Sequence, residues 1–332
     1  MRECMKRRLA TNEMMVVYII VVLSILIGVV NPAFVSVSTG VSLFRSMLVM
    51  LIFAAFEMLV IISGGIDVSF PAVASFAMYA TAKIMTDHGI DSVWMAYLIG
   101  ILIGMGFGAV NSLLIVKLGI PPLIATLGIS SVASGATLTF LGSKEINRLP
   151  ESLGRLSKTF IYEYSAPNGM TYQLTVLILI PVFICVCLWL FLKYTMLGRG
   201  VYAVGGDRNA ARIAGFRVTF IRSFVYILAG AFASVGGITY MILMRQAHPQ
   251  VLMGSEMMVI AAVVMGGTRI TGGHGSIWGT ILGVALIALI QNNLIMLGVP
   301  TYGQTFVVGL LIVIGTSITS LRTKRIQNSM KV

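Results

Sequence analysis

The segment LFRSMLVMLIFAAFEMLVII, which occupies residues 43–62, has the length and composition of a membrane-spanning helix. Its ionisable side chains are Arg45 and Glu57, and nearly all its other positions are apolar. A helix needs about 20 consecutive, mainly apolar residues to cross the hydrocarbon core of a bilayer. The segment therefore predicts a transmembrane helix, and the rest of the chain repeats its pattern.

The whole chain shares this apolar character. Of its 332 residues, 58% are hydrophobic and 10% are charged, and the mean hydropathy is +0.97. Soluble domains carry about 25% charged residues, so this composition indicates lipid as the solvent. The net charge of +12 does not indicate nucleic-acid binding, because the basic residues cluster at the ends of apolar segments and no nucleic-acid-binding motif is present.

Ten apolar segments predict an all-α, polytopic membrane protein with a single transmembrane domain over residues 1–332. Two of them deviate most from the pattern: the third carries Asp67 and Pro71 near its start, and the eighth is short and flanked by Gly pairs. In chain order the segments are Met14–Val30, Leu43–Ile62, Ile66–Met85, Val93–Val116, Ile120–Leu141, Tyr172–Leu192, Ser223–Met244, Gly254–Met265, Ile277–Leu297 and Gln304–Leu321.

The distribution of Lys and Arg predicts the orientation, because cytoplasmic loops are enriched in both. With the N-terminus inside, 16 of the 23 basic residues fall on the cytoplasmic side, and an even number of spans returns the C-terminus there. The first segment follows the basic residues 6–8 as in a signal peptide. However, residues 31–34 (NPAF) lack a small-x-small cleavage site, so we expect an uncleaved first helix.

The longest polar segment outside the membrane is predicted at residues 142–171. Its part at residues 150–157 predicts a short surface helix. Two interpretations are open for the whole segment: a platform that meets a solute-binding protein, or a solvated connecting loop.

A weak internal repeat accompanies these spans. Residues 111–121 and 292–300 each begin with Asn and end with Leu-Gly-apolar-Pro. Each stretch joins the end of one predicted span to the start of the next. The spans that end in these two stretches cross the predicted membrane in opposite directions. This arrangement is typical of an inverted repeat.

Several polar groups fall within the predicted spans, where they are costly and often functional. Asp67 follows a break at residues 63–65 (SGG), and either Asp67 or Ser69 is expected to cap the next helix; direct contact of Asp67 with a solute is the alternative. The Asn side chains either line a path for a hydroxylated solute or join helices to each other. The candidate pathway residues are Ser63, Gly64, Gly65, Asp67, Asn111, Asn292 and Asn293.

No pattern in the chain indicates catalysis. The Gly-rich residues 265–276 lack the Gly-Lys-Ser/Thr ending of a phosphate-binding loop. The three His residues are scattered, and Cys185 and Cys187 point to different faces of a helix. We therefore expect no catalytic site, no metal site and no cofactor bound by this chain.

Residues 205–218 (GGDRNAARIAGFRV) form a basic segment bounded by glycines, on the predicted cytoplasmic side. Asp207 or Asn209 is expected to cap a short helix, and Gly215 is expected to end it with a left-handed residue. Composition alone leaves two interpretations open: a helix that docks in the groove of another protein, or an interfacial helix on anionic lipid headgroups.

Five segments, in chain order, resemble the permease subunits of bacterial ABC importers for sugars, the branch that transports ribose, arabinose, xylose and autoinducer-2. Residues 63–69 (SGGIDVS) resemble the family's SGGIDLS, and residues 120–128 (IPPLIATLG) resemble its IPxFIxTLG. Residues 198–215 resemble GRxxYAIGGNxxAAxxSGI. Residues 260–268 and 272–280 together resemble IAAVVLGGTxLxGGxGxxxGT, so the resemblance covers nearly the whole chain.

The resemblance implies the ten-helix fold of ABC importer permeases, used as a dimer in the bacterial inner membrane. Two ATPase subunits, which hold ATP and Mg²⁺, would bind inside, and a solute-binding protein would deliver solute outside. Residues 198–222 would be the cytoplasmic coupling loop, with the coupling residues Asn209, Ala210, Ala211, Arg212 and Gly215. The chain departs from the family at residues 70–72, which are FPA where the family has VGS, and at Asp207, where the family has Asn.

The expected function is therefore the import of a small polar solute, most simply a sugar or a sugar-like signal. Three alternatives stand beside it. In the first, the chain serves a nucleoside or branched-chain amino acid importer. In the second, it is an ion-coupled carrier that uses Glu57 or Asp67, and in the third, it is a membrane enzyme or scaffold without solute flux.

Overall fold

A computed structural model describes residues 12–165 and 170–296, with isolated positions between residues 300 and 313. Two strands, β1 (Phe160–Ser165) and β2 (Thr171–Thr175), accompany the helices. Helices α1 to α12 cover, in chain order, Asn12–Val30, Val37–Ile62, Phe70–Asp87, Val93–Ser112, Pro122–Ala136, Glu151–Ser157, Leu179–Tyr194, Met196–Gly206, Arg208–Ile213, Val218–Met244, Glu256–Met265 and Ile277–Met296.

Seven helices among the described residues are long and apolar enough to cross a membrane, which supports a mostly helical, multi-pass membrane protein. Helix α5 has 15 residues and reaches this length because it continues into a π-helical turn at Thr137–Leu141, whereas α4 is already 20 residues long before its own π-helical turn at Leu113–Lys117. The segment predicted at residues 304–321 falls mostly outside the described residues. The predicted count of ten spans therefore stays a prediction, as does the inverted repeat, whose second copy is described to residue 296.

Four predicted spans start at least four residues away from the observed helices: the second and seventh begin earlier, at Val37 and Val218, and the third and sixth begin later. The third begins at Phe70 rather than Ile66, because residues 63–69 form an irregular segment between α2 and α3. The sixth does not include Tyr172, since residues 171–175 belong to β2. The eighth is a helix of ten residues, Glu256–Met265, too short to span a bilayer alone.

Helix α3, which corresponds to the third predicted span, is less apolar than the other long helices. It is 18 residues long but contains Lys83 and Asp87, and it is absent from the seven strongly apolar helices. Most of its side chains are buried by neighbouring helices. Because α3 contacts protein rather than lipid along most of its length, it does not need the uniform apolar surface that lipid contact requires.

The predicted outer segment is structured rather than a plain loop. Helix α6 confirms the short helix expected at residues 150–157, whereas the hairpin of β1 and β2 was not expected from an all-α prediction. Arg245 Nε donates to Ser157 Oγ at 2.7 Å, and the backbones of Ile146 and Ala247 pair in an antiparallel bridge. These bonds tie the segment to the chain that follows α10.

Helix α10 lies at the centre of the bundle and packs against α2, α3 and α4. Its contact with α4 is made by glycines spaced four residues apart, Gly100, Gly104 and Gly108, which lie on one helix face. A Cβ at Gly104 would collide with the carbonyl oxygen of Gly230 on α10. Small residues at this spacing let two membrane helices approach with their backbones nearly in contact.

Candidate functional site

The segment at residues 63–69 interrupts the bundle between α2 and α3. Gly64 has a φ of +80°, a backbone conformation that residues other than glycine rarely adopt, and it turns the chain out of α2. A Cβ at Gly65 would collide with the hydroxyl of Tyr226 on α10. The two glycines therefore make the break possible, one through its conformation and the other through close approach to a neighbouring helix.

A buried polar cluster surrounds this break and consists of Glu57, Asp67, Ser69, Asn111 and Thr126, each at most 3% exposed. The Asp67 N–H donates to Glu57 Oε1 at 3.2 Å. Asp67 Oδ1 accepts from the Ser69 N–H at 2.7 Å and from the Ser69 hydroxyl at 2.5 Å. Asn111 Nδ2 donates to Ser69 Oγ at 2.9 Å, so a continuous relay joins α2, the break and α4.

Thr126 attaches the same break to α5. Its hydroxyl oxygen accepts from the Val68 N–H at 3.3 Å, while the hydroxyl donates to the Pro122 carbonyl at 2.9 Å. Helices α2 and α5 thus hold the irregular backbone through side-chain acceptors, and α4 adds the Asn111 donor to the Ser69 hydroxyl. Irregular backbone at membrane depth is tolerated where protein groups satisfy its N–H and C=O groups, and here side chains accept from the N–H groups of Asp67, Val68 and Ser69.

The prediction that Asp67 or Ser69 caps the first turn of α3 is wrong. Ser69 occupies the N-cap position of α3, but its side chain makes no bond to the N–H groups of the first turn. Asp67 instead folds back onto Ser69 itself, in a local turn of the kind that short polar side chains favour. Its carboxylate fixes the approach to α3 rather than the helix end.

The structure does not bring all the predicted pathway residues together. Ser63 lies beside the cluster, but its hydroxyl bonds back to the Val60 carbonyl within α2. Asn292 Nδ2 donates to Ser46 Oγ, which lies eleven residues before Glu57 and so roughly 16 Å away along α2. Asn293 Nδ2 donates to the Leu289 carbonyl of its own helix. Asn292 therefore joins α12 to α2, the structural alternative of the two interpretations.

The segment at residues 205–218, predicted to be cytoplasmic, contains the predicted short helix, α9. Asp207, rather than Asn209, caps it, with Oδ1 accepting from the N–H groups of Asn209 and Ala210 at 2.7 and 2.9 Å. Gly215 ends it with a φ of +88°. The Phe216 N–H donates to the Ala211 carbonyl at 3.0 Å, which completes a C-terminal cap of the Schellman type.

Helix α9 presents a small, mixed surface. Asn209, Ala210 and Arg212 are exposed, and Ile213 is 88% exposed, which is unusual for a large apolar side chain on a short surface helix. Ala211 is buried, so it anchors the helix to the chain and does not contribute to the exposed surface. Of the five predicted coupling residues, Ala211 alone faces inward.

Three glycine-containing segments meet at one place, which we call the glycine junction: Gly64 at the end of α2, Gly205 in the last turn of α8, and Gly272 and Gly273 in the loop between α11 and α12. The Gly273 N–H donates to the Ile62 carbonyl at 2.9 Å. A Cβ at Gly205 would collide with that same carbonyl. Gly272 and Gly273 have φ values of +88° and +72°.

Two side chains reinforce the junction. The Tyr202 hydroxyl, from α8, donates to the Gly275 carbonyl at 2.9 Å, and burial raises the pKa of Tyr202, so the group stays protonated as a donor. Arg208 Nη2, from α9, donates to the Gly64 carbonyl at 3.4 Å. The Gly-rich residues 265–276 therefore serve close backbone packing, consistent with their lack of a phosphate-binding pattern.

Ser69, Thr126 and Tyr226 contact the break at residues 63–69, but they are not among the pathway residues predicted from the sequence. Ser69 and Thr126 lie within residues 63–69 and 120–128, two of the segments that carry the family resemblance, so a signal was present. Tyr226 carries no such signal, since its position against Gly65 depends on how α10 crosses the break.

Comparison with known proteins identifies the family to which this chain belongs. The family described as branched-chain amino acid transport system / permease component matches residues 39–315. The chain belongs to this permease family. The permease is therefore a multi-pass transport component, which agrees with its apolar helices and with the resemblance drawn from its motifs.

Individual relatives cover most of the permease. It is 33% identical over 293 residues to a ribose import permease of Bacillus subtilis, with 88% of each chain covered. It is 29% identical to a D-allose transport system permease of Escherichia coli, with 92% of this permease and 91% of the relative covered. It is 31% identical to an autoinducer 2 import system permease of Yersinia enterocolitica, with 88% and 78% covered. No solved structure matches the permease.

Proposed function

We propose that this chain is the membrane-spanning subunit of an ATP-driven importer for a sugar or a sugar-like solute. The observation that carries the proposal is the match along most of the chain to permeases named for ribose, D-allose and autoinducer 2. All three solutes are small and polyhydroxylated or closely related in chemistry. The family description refers to branched-chain amino acids, so a transport test must include one.

The partners follow from the same proposal. Helix α9 docks on an ATPase subunit that holds ATP and Mg²⁺, and its exposed face of Asn209, Ala210, Arg212 and Ile213 is the docking surface. The permease forms one transmembrane domain and pairs with a second permease in the bacterial inner membrane, with both termini in the cytoplasm. Helix α6 and the β1–β2 hairpin lie outside, where a solute-binding protein approaches.

The break between α2 and α3 is the proposed gate of the pathway. A cavity of about 10 Å³ touches Glu57 and Asp67, which is space for about one water molecule and far less than a monosaccharide needs. Asn111 Oδ1 is buried and lacks a hydrogen-bond partner among the described residues, so it is an acceptor available to a hydroxyl group. Passage of a sugar therefore requires the break to move.

The test begins with the composition of the complex. The chain is purified gently from native membranes, and co-purifying proteins are identified by mass spectrometry and assayed for ATP hydrolysis. The complex is then reconstituted in proteoliposomes with its binding protein, and uptake of labelled D-ribose, D-allose, autoinducer 2, a nucleoside and L-leucine is measured. ATP-dependent uptake of a sugar or autoinducer 2 supports the proposal; uptake of leucine or the nucleoside alone contradicts the substrate class.

The buried carboxyl groups favour a second candidate, an ion-coupled carrier. Glu57 and Asp67 have no ion-pair partner within 4 Å among the described residues. The salt bridge found in that part of the chain joins Arg155 and Glu151 on the surface. An ion-coupled carrier needs the acidity of Glu57, whereas the permease needs Glu57 Oε1 as the acceptor for the Asp67 N–H. Glu57→Gln keeps an acceptor and should retain uptake. Loss of uptake in Glu57→Gln, together with sensitivity to collapse of the ion gradient, would favour the carrier.

A further inference from the structure

We propose that the glycine junction is the positioning element that transmits movement of α9 to the gate at residues 63–69. This inference rests on the proposed function, because it assumes that α9 docks on an ATPase. Its basis is contact between three backbones that have no side chain between them. Each of the three segments leads to a different part of the permease: the gate, the docking helix and the α11–α12 pair.

The contacts at the junction leave little freedom for one segment to move alone. A Cβ at Gly272 would lie 2.6 Å from the Gly205 carbonyl oxygen and 3.0 Å from Gly64 Cα, so the three glycine backbones are in van der Waals contact. Close-packed contacts transmit displacement because they cannot be compressed. A side chain between the segments would instead absorb part of the displacement by changing its rotamer.

The path on either side of the junction is short. Gly205 precedes the cap of α9, Asp207, by two residues, and Arg208 reaches from α9 directly to the Gly64 carbonyl. Gly64 precedes Asp67 by three residues, and Asp67 holds the relay to Glu57 and to Ser69. A shift of α9 therefore reaches the buried polar cluster through two contacts and a few residues of backbone.

Gly205 and Gly206 provide a matched pair of variants. A Cβ at Gly205 would collide with the Ile62 carbonyl, whereas a Cβ at Gly206 meets nothing within 4 Å. Both substitutions, Gly205→Ala and Gly206→Ala, add one methyl group to the same turn of α8. They therefore share any effect on helix propensity and differ in the contact with α2.

The experiment measures solute uptake and ATP hydrolysis in the same reconstituted complex, after ATPase stoichiometry and thermal stability have been checked. For Gly205→Ala we expect assembly and basal hydrolysis to persist, while uptake per ATP hydrolysed falls about tenfold, within the usual range of coupling between sites. Gly206→Ala should match the wild type. A parallel fall of uptake and hydrolysis in Gly205→Ala, with an unchanged ratio, would overturn the inference in favour of a purely structural role.

Two milder variants cover the case in which Gly205→Ala does not assemble. Tyr202→Phe removes the bond to Gly275, and Arg208→Gln removes the charged donor to Gly64. At least one should lower the uptake-to-hydrolysis ratio without a change in melting temperature, and an unchanged ratio in both would overturn the inference. If the wild-type complex itself shows no ATP-dependent uptake, the proposed function fails before any variant is compared.

Discussion

Asp67 contributes to the buried polar cluster through a single carboxylate oxygen that accepts two hydrogen bonds from Ser69. The same Ser69 hydroxyl then accepts from Asn111, so the order of donors and acceptors is fixed along the relay. The geometry requires an acceptor at position 67, and an amide oxygen provides one as well as a carboxylate does. The charge and the hydrogen-bonding role of Asp67 can therefore be separated by substitution.

We predict that Asp67→Ala destabilises the permease by about 1–3 kcal/mol, because the buried Ser69 N–H and hydroxyl lose their acceptor. Asp67→Asn, the matched control, should retain most of the stability. Thermal unfolding of the detergent-solubilised protein measures both. Equal losses in the two variants would show that the charge, rather than the acceptor, is what the fold needs.

At the scale of elements, the contact between α4 and α10 depends on glycines and not on large side chains. Gly104 and Gly108 lie against backbone atoms of α10, whereas Gly106, on the same helix, meets nothing within 4 Å. Helix association in lipid lacks the hydrophobic driving force found in water, so close packing of this kind is a main source of stability.

We predict that Gly104→Ile separates α4 from α10 and lowers the free energy of unfolding by about 1–3 kcal/mol, the usual range for overpacking. Gly106→Ile adds the same side chain on the exposed face of α4 and should have little effect. Melting temperature and the yield of monodisperse protein report the difference. Comparable behaviour of the two variants would contradict the observed packing.

Helix α9 is an element with a well-defined start and end but few contacts, as expected of a docking helix. We predict that Arg212→Glu, which reverses an exposed charge, and Gly215→Pro, which is incompatible with a φ of +88°, abolish transport while membrane insertion stays intact. Lys117→Glu, a charge reversal at an exposed basic residue outside residues 198–222, is the control for a general effect of charge. Normal uptake by both α9 variants would refute the coupling role.

At the scale of the whole molecule, the predicted orientation rests on the excess of basic residues on one side. We predict that Ser165→Cys, in β1, is labelled by a membrane-impermeant maleimide in intact cells, whereas Arg199→Cys is labelled after permeabilisation. The background must lack Cys4, Cys185 and Cys187. The opposite labelling pattern would reverse the orientation, and with it the assignment of α9 to the cytoplasm.

The sequence by itself determined the features that depend on neighbouring residues. The span at residues 43–62 follows from a run of apolar side chains. The start of α9, predicted with Asp207 or Asn209 as its cap, and its end at Gly215 follow from residues a few positions apart, and the structure selects Asp207 as the cap. The family also follows from the sequence, since its motifs are local patterns in a fixed order. None of these features requires knowledge of which helices are neighbours.

Tertiary structure alone decided which of the polar and glycine residues act together. Asn111 and Asn292 look alike in sequence, yet one joins the buried polar cluster and the other bonds to Ser46 at a distance along α2. Gly64, Gly205 and Gly272 lie far apart in the chain. They meet because the C-terminal ends of α2 and α8 lie next to the loop between α11 and α12. A glycine permits a close approach but carries no side chain that specifies its partner, so the fold must supply it.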